Sequence, residues 1–186
     1  MLFRSQKVGI EKIAEVARIL GLGQSFNIEM SAVTSGIVPD KIWKQKSRSR
    51  EWVVGDTVNS SIGQGYVLSS PLQLAVMIAR IATGHEILPK LIKSINGIES
   101  ERIPDKLNLN RNNLNLIRKA LFEVTNDKRG TAYPARVLNK ESEIVGKSGT
   151  SQVRNISSVE RTLGLLENKD LPWEQRDHAL FVNYAP

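Results

Sequence analysis

The segment PLQLAVMIARIAT, residues 71–83, most constrains what this chain can fold into. Ser70 is a good helix cap and Pro71 suits the first helical position, where its missing N–H costs nothing. Gly84 provides the stop. Between them the residues are apolar nearly all round, so the spacing predicts a buried helix rather than one lying on a surface. A helix of that kind must be enclosed by several other elements, which implies a globular chain. The composition agrees: 40% of the 186 residues are apolar and 24% are charged. That length fits one domain, or a large part of a bigger one. No run of about 18 apolar residues encodes a transmembrane helix. Met1 to Arg4 has no apolar core or cleavage site of a signal peptide, so work outside the cytoplasm would require a segment upstream.

Other elements follow from periodicity. GIEKIAEVARIL, residues 9–20, places Ile10, Ile13, Val16, Ala17 and Leu20 at helical steps, and Gly21 and Gly23 follow. Residues 24–60 have little periodicity and read as a long excursion with short strands at best. SIGQGY, 61–66, is a glycine-punctuated turn. Residues 87–103 read as strands around Asn96-Gly97. Asn110 opens a helix with Leu114, Ile117, Leu121 and Val124 on one face. A strand is expected in 143–154, a helical middle in the polar 157–177, and a buried strand in ALFVNY, 179–184. That last strand is expected to leave a neighbour missing or an edge open.

Several function classes drop out early. There is no cysteine, which removes disulfides, thiolate metal sites and cysteine nucleophiles. His85 and His178 are far apart, which disfavours a histidine metal site. The formal charge is +7, yet no recognisable nucleic-acid-binding pattern accompanies it. The densest basic run, KIWKQKSRSR at 41–50, reads as a solvated loop. Trp43, Trp52 and Trp173 are expected to pack local loops, and His178 to anchor the start of the last strand.

Lys147-Ser148-Gly149-Thr150 is the main candidate for chemistry. A lysine beside two hydroxyls favours an anionic carboxylate. Glycine keeps a strand bare, so an extended ligand can lie along it. The N–H that follows, that of Thr150, can point at a developing oxyanion. Alone the tetrapeptide is a weak signal, equally compatible with an ordinary exposed edge strand.

The rest of the chain sharpens it. GDTVNSSIGQGYVLSSPLQLAVMIARIATG (55–84), RGTAYPARV (129–137), GKSGTSQV (146–153) and DLPWEQRDHALFVNYAP (170–186) resemble, in order and spacing, the class B penicillin-binding proteins. SGIVPDKIWKQK and REWVVGDTVN look most like their penicillin-binding protein 2 branch, the transpeptidases of side-wall elongation. The resemblance covers essentially the whole chain. It implies an α+β fold of the serine β-lactamase and penicillin-binding transpeptidase kind, an antiparallel sheet flanked by helices. It also implies a peptidoglycan D,D-transpeptidase that forms a serine acyl-enzyme, takes stem peptides and β-lactams, and uses no cofactor. Elongation-machinery membrane proteins would be partners, at the periplasmic face of the inner membrane, and nucleic acid would not. Lys147 and Thr150 would serve catalysis, and Lys147, Ser148, Gly149 and Thr150 would bind substrate.

The family needs two further motifs. No serine here has a lysine three positions later, so the Ser-x-x-Lys nucleophile and base are absent. Ser25-Phe26-Asn27 and Ser94-Ile95-Asn96 have Ser-x-Asn spacing but stand in the wrong places. The family's copy would lie just before the helix near Gly9. Residues 1–186 are therefore expected to be a partial transpeptidase domain, lacking the nucleophile-bearing N-terminal part and the last strand and helix. The other functional expectation is a non-catalytic fragment, acting only as an interaction or complementation partner in cell-wall synthesis. Two departures from the family pattern stand out: Phe26-Asn27-Ile28-Glu29 with Val33, and Gly84-His85.

Overall fold

Ser70 and Gln73 start the central helix in the way their residue types allow. The computed structural model describes residues 2–28, 33–99, 103–154, 160, 162, 164 and 166–185. Glu29 therefore lies outside the described residues. The chain divides into two compact units, Met1–Ile117 and Arg118–Pro186, the division falling within a helix.

The first unit holds α1 (Leu2–Val8), α2 (Ile10–Ile19), α3 (Lys41–Arg48), α4 (Val54–Ser60) and α5 (Pro71–Thr83). In α5, Ser70 Oγ accepts the Gln73 N–H while Gln73 Oε1 accepts the Ser70 N–H, a reciprocal cap. Gly84 closes the helix in the left-handed region, at φ 73°. The expectation of a helix buried all round is corrected. Val76, Ile78 and Ile81 are buried, but the most completely enclosed side chains are polar: Gln73 is 0% exposed and Arg80 1%.

Both polar side chains hold loops. Gln73 Nε2 donates to the carbonyls of Gln24 and Ser35, each at 2.7 Å. Arg80 donates to Ile19 O at 2.7 Å and Ile87 O at 3.2 Å. Its second terminal nitrogen is buried without a hydrogen bond, with the Glu86 carboxylate 3.9 Å away. Burial lowers the Arg80 pKa and Glu86 opposes that shift. Against this frame α2 buries Ile10 and Ala14. Val16 faces solvent, contrary to the predicted stripe. Gly21 lets the end of α2 approach α5, because a Cβ there would stand 2.9 Å from Val76 Cγ1.

The segment 24–60, read as a long excursion with short strands at best, holds two helices in its described residues, α3 and α4. The signal lay in caps, not in apolar period. Asp40 Oδ1 accepts the Trp43 N–H at 2.7 Å, and Asp56 Oδ2 accepts the Val53 N–H at 2.8 Å. Lys44 is 5% exposed and reaches Asp56 at 2.6 Å, so the basic run is a helix with an inner face and not a loop. Trp52 Nε1 donates to Thr57 Oγ1. Of the predicted strands near Asn96-Gly97, only β1 (Ser94–Ile95) and β2 (Ile98–Glu99) form. Asn96 and Gly97 both have positive φ, as the two-residue hairpin turn requires.

α6 (Arg111–Asn126) starts where predicted, with Asn110 Oδ1 accepting the Asn112 N–H. The second unit then pairs β3 (Val145–Ser151) with β4 (His178–Tyr184) in an antiparallel ribbon. β4 is not the buried strand predicted. Leu180, Val182 and Tyr184 are half-buried on one face, and Phe181 is exposed on the other. Apolar content alone does not bury a strand; another layer must cover it. Residues 155–159, 161, 163 and 165 lie outside the described residues, so the expected helical middle of 157–177 is described only in part. Short 3₁₀ turns occur at Asn168–Asp170 and Trp173–Gln175. Trp173 is exposed and meets the Arg176 guanidinium.

Two stability outcomes follow. Gln73→Ala removes the donor from the Gln24 and Ser35 carbonyls and leaves a gap where a fully enclosed side chain stood, and should cost about 2–4 kcal/mol by urea denaturation. Gln64→Ala, at an exposed position, should change little. The second outcome concerns acid. Burial pushes the Asp40 carboxyl up, but the Trp43 N–H, the Arg18 hydrogen bond and charge, and the Ile42 N–H outweigh it, so its pKa is lowered from 3.8. That stabilisation is fully present above 3.8 and is lost as pH falls through the folded value. Urea midpoints measured down through that window should fall less steeply in Asp40→Asn than in the parent.

Candidate functional site

Lys147-Ser148-Gly149-Thr150 lies within β3, and the ladder sets where each group faces. The register pairs Lys147 with Val182, Ser148 with Phe181, Gly149 with Leu180 and Thr150 with Ala179. Side chains alternate between faces. Lys147 and Gly149 therefore share one face, while Ser148 and Thr150 share the other with Phe181.

Thr125 determines which backbone groups point outward. Its side chain is 0% exposed, and its Oγ1 accepts the Gly146 N–H at 3.2 Å. The Gly146 N–H thus turns away from β4. In an antiparallel ladder alternate residues turn their N–H and C=O to the same side. Ser148 and Thr150 accordingly present their N–H groups to the edge opposite β4. Asn126 Nδ2 adds a bond to Ile144 O at 3.1 Å just before the strand. The end of α6 therefore clamps the entry to β3 and leaves the motif's outer edge open among the described residues.

The side chains around that edge are partly ordered. Lys147 Nζ donates to Ser148 O at 2.7 Å, so its charge folds back over the strand. Thr131 Oγ1 stands 3.3 Å from Ser148 Oγ, either being able to donate. Thr131 is placed by a tight turn in which Ala132 N–H bonds Val124 O, and a Cβ at Gly130 would collide with that same carbonyl. This gives RGTA a structural role, together with a hydroxyl beside the motif that sequence reasoning missed. At the far end of β4, burial raises the Tyr184 pKa and the Arg118 charge opposes the shift.

The two glycines differ in kind. A Cβ on Gly146 would stand 2.7 Å from Asn183 Cβ and close on Val182 O, so packing demands glycine there. A Cβ on Gly149 would meet only Leu180 Cβ at 3.9 Å. Nothing in the packing of the described residues requires glycine at 149.

Other predicted positions fall elsewhere. Ser25 and Asn27 are exposed on either side of buried Phe26. Ser94 and Asn96 belong to the β1–β2 hairpin and its turn. His178 is exposed, with no side-chain hydrogen bond among the described residues; the strand start is tied instead by Asp177, whose side chain accepts the Val153 N–H and whose own N–H donates to Asn168 Oδ1. No group of three or more metal-ligating side chains occurs among the described residues.

Comparison with known proteins places this ribbon in context. Residues 1–186 match the family described as penicillin binding protein transpeptidase domain. The peptidoglycan D,D-transpeptidase MrdA of Acinetobacter baumannii is 30% identical over 98% of the chain, and that of Haemophilus influenzae 32% over 96%. The chain spans only 27% and 28% of those relatives' lengths. Among solved structures, Pseudomonas aeruginosa PBP2 in complex with WCK 5153 superposes with a TM-score of 0.78 at 31% identity, covering 100% of this chain and 38% of that one. Helicobacter pylori PBP2, in a complex with MreC, also gives 0.78 at 31% identity, over 97% of this chain and 30% of that one.

Alanine at the two glycines should separate packing from ligand access. Gly146→Ala should destabilise by about 1–3 kcal/mol or more through overpacking. Gly149→Ala should leave the thermal midpoint close to the parent's. Equal destabilisation by both would contradict the distinction.

Proposed function

The chain belongs to the penicillin-binding transpeptidase family, and we propose that its β3 edge is the substrate side of a peptidoglycan D,D-transpeptidase site. One observation carries this: the clamp by Thr125 turns the Ser148 and Thr150 N–H groups to the edge opposite β4, beside Lys147. A D-Ala-D-Ala stem peptide would lie along that edge as an added strand. The Lys147 charge and the Ser148 and Thr150 hydroxyls would take its carboxylate. The Thr150 N–H would face the oxyanion of the tetrahedral intermediate, and Gly149 would leave room for the peptide. β-Lactams would occupy the same edge.

The covalent step needs a serine that attacks the carbonyl, a base that accepts its proton, and departure of the terminal D-alanine. An amine of a neighbouring strand then resolves the acyl-enzyme. These residues contain no Ser-x-x-Lys pair. In this reading they form the later part of a transpeptidase domain, and nucleophile and base come from another segment. Partners in the elongation machinery and work at the outer face of the cytoplasmic membrane belong to the same reading. Support comes from the H. pylori PBP2 relative, seen with MreC. The missing pair also favours a second reading, a fragment that acts in cell-wall synthesis only by binding.

A chimera distinguishes the two. This chain replaces the matching 38% of P. aeruginosa PBP2, and acylation by a fluorescent penicillin is followed. The chimera should label, and Lys147→Ala should slow labelling about 100-fold. The 186-residue chain alone should show no added mass with penicillin. A chimera that melts cooperatively yet never labels would overturn the catalytic reading.

A further inference from the structure

The basic run at the end of α3 has no part in the proposed transpeptidase site, and its geometry is more specific than a solvated face. Ser47, Arg48, Ser49, Arg50 and Tyr66 line a cleft of about 560 Å³. Ser49 ends α3 in the left-handed region, at φ 52°. That conformation is uncommon for a side chain other than glycine or asparagine. It reverses the chain so that residues on both sides of the turn line one cleft.

The floor is held in place. The Tyr66 ring follows the Gly63 and Gly65 turn, where both glycines have positive φ. It packs against Trp43 at 5.3 Å and lies 5.8 Å from both Lys44 Nζ and the Arg48 guanidinium. Lys44 is neutralised from within by Asp56. Other cations of the fold also meet carboxylates: Arg18 meets Asp40, Lys41 meets Glu11, and Arg129 meets Asp127. Arg48 and Arg50 have no carboxylate partner among the described residues, and Glu51, the acid next in sequence, does not line the cleft. Two like charges on one cleft repel, and the carbonyl end of α3 relieves that repulsion only in part.

The donors define the ligand. Ser47 Oγ already donates to Trp43 O at 2.7 Å, which leaves its oxygen as an acceptor. Two guanidinium forks, the Ser49 hydroxyl and the Tyr66 phenol remain as donors. Four donor groups lining one cleft match a tetrahedral oxyanion with several acceptor oxygens better than a two-oxygen carboxylate. We propose that this cleft binds a phosphate group, as a phosphomonoester or phosphodiester.

The test uses the 186-residue chain and inorganic phosphate, titrated by calorimetry, with circular dichroism to confirm that each variant is folded. Binding should be saturable at one site. It should weaken about tenfold or more in Arg48→Ala/Arg50→Ala, and by less in Arg48→Lys/Arg50→Lys, which keeps the charge without the fork. Lys46→Ala, on α3 but not lining the cleft, should stay within about twofold of the parent, since an exposed charge that makes no direct contact is largely screened. If the double alanine variant does not fold, the lysine pair and Tyr66→Phe carry the test. Phosphatidylglycerol and phosphatidylcholine vesicles then separate the sources. Retention on the anionic vesicles that is lost with the arginines upholds the site with a lipid phosphodiester as ligand. Phosphate binding without retention upholds it with a soluble phosphate. The proposal is overturned by non-saturable phosphate binding or by acetate competing at equal concentration. Equal loss in Lys46→Ala, or binding of an RNA fragment with no binding of phosphate, overturns it as well.

Discussion

Two long polar side chains on one helix carry the first unit. Gln73 and Arg80 lie seven residues apart on α5, two turns of helix, and so project from the same face. Each ends at backbone carbonyls outside α5: Gln24 and Ser35 for Gln73, and the end of α2 at Ile19 together with Ile87 for Arg80. A buried carbonyl without a donor is costly. The segments around Gln24, Ser35 and Ile87 are therefore tied to α5, which supplies their donors. The buried apolar residues of the same helix, Val76, Ile78 and Ile81, supply the enclosure that makes those bonds strong. Apolar packing alone would tolerate a slide of α5, whereas directional bonds at both ends do not.

The second unit uses the same device on a smaller scale. Thr125, near the end of α6, is fully enclosed and spends its hydroxyl on the Gly146 N–H. One hydrogen bond there sets the phase of the whole strand, because a ladder alternates. Gly146 has to be glycine, since Asn183 and Val182 close on its Cβ position. The open edge two and four residues later is a consequence of that clamp. Thr131, delivered by the turn at Gly130, then adds a hydroxyl next to Ser148. The clamped residues and the exposed tetrapeptide thus form one local unit.

Element existence was legible wherever a helix announced itself by caps and apolar period together, as in α2, α5 and α6. The β1–β2 hairpin was legible from Asn96-Gly97 because its turn needs two positive φ angles. α3 and α4 were missed for a definite reason. Their apolar content is low, and what holds them is a pair of carboxylates, Asp40 and Asp56, that cap a helix and pair with a cation at once. Periodicity cannot see a bond of that kind. The reading of 41–50 as solvated failed for the same cause: Lys44 looks like its neighbours in sequence, and only its partner Asp56 distinguishes it.

The sequence by itself determined the family, through several motifs in one order, and the residue types of the candidate strand, Lys147-Ser148-Gly149-Thr150. It determined equally that no serine here stands three residues before a lysine. Those are properties of composition and spacing. The tertiary structure decided which edge of β3 is open, which glycine is demanded by packing and which is not, and which lysine of a basic helix is buried. It decided too that ALFVNY is half-exposed rather than enclosed. Each of these depends on what stands across space from a residue, and a one-dimensional pattern carries no information about that until the chain is folded.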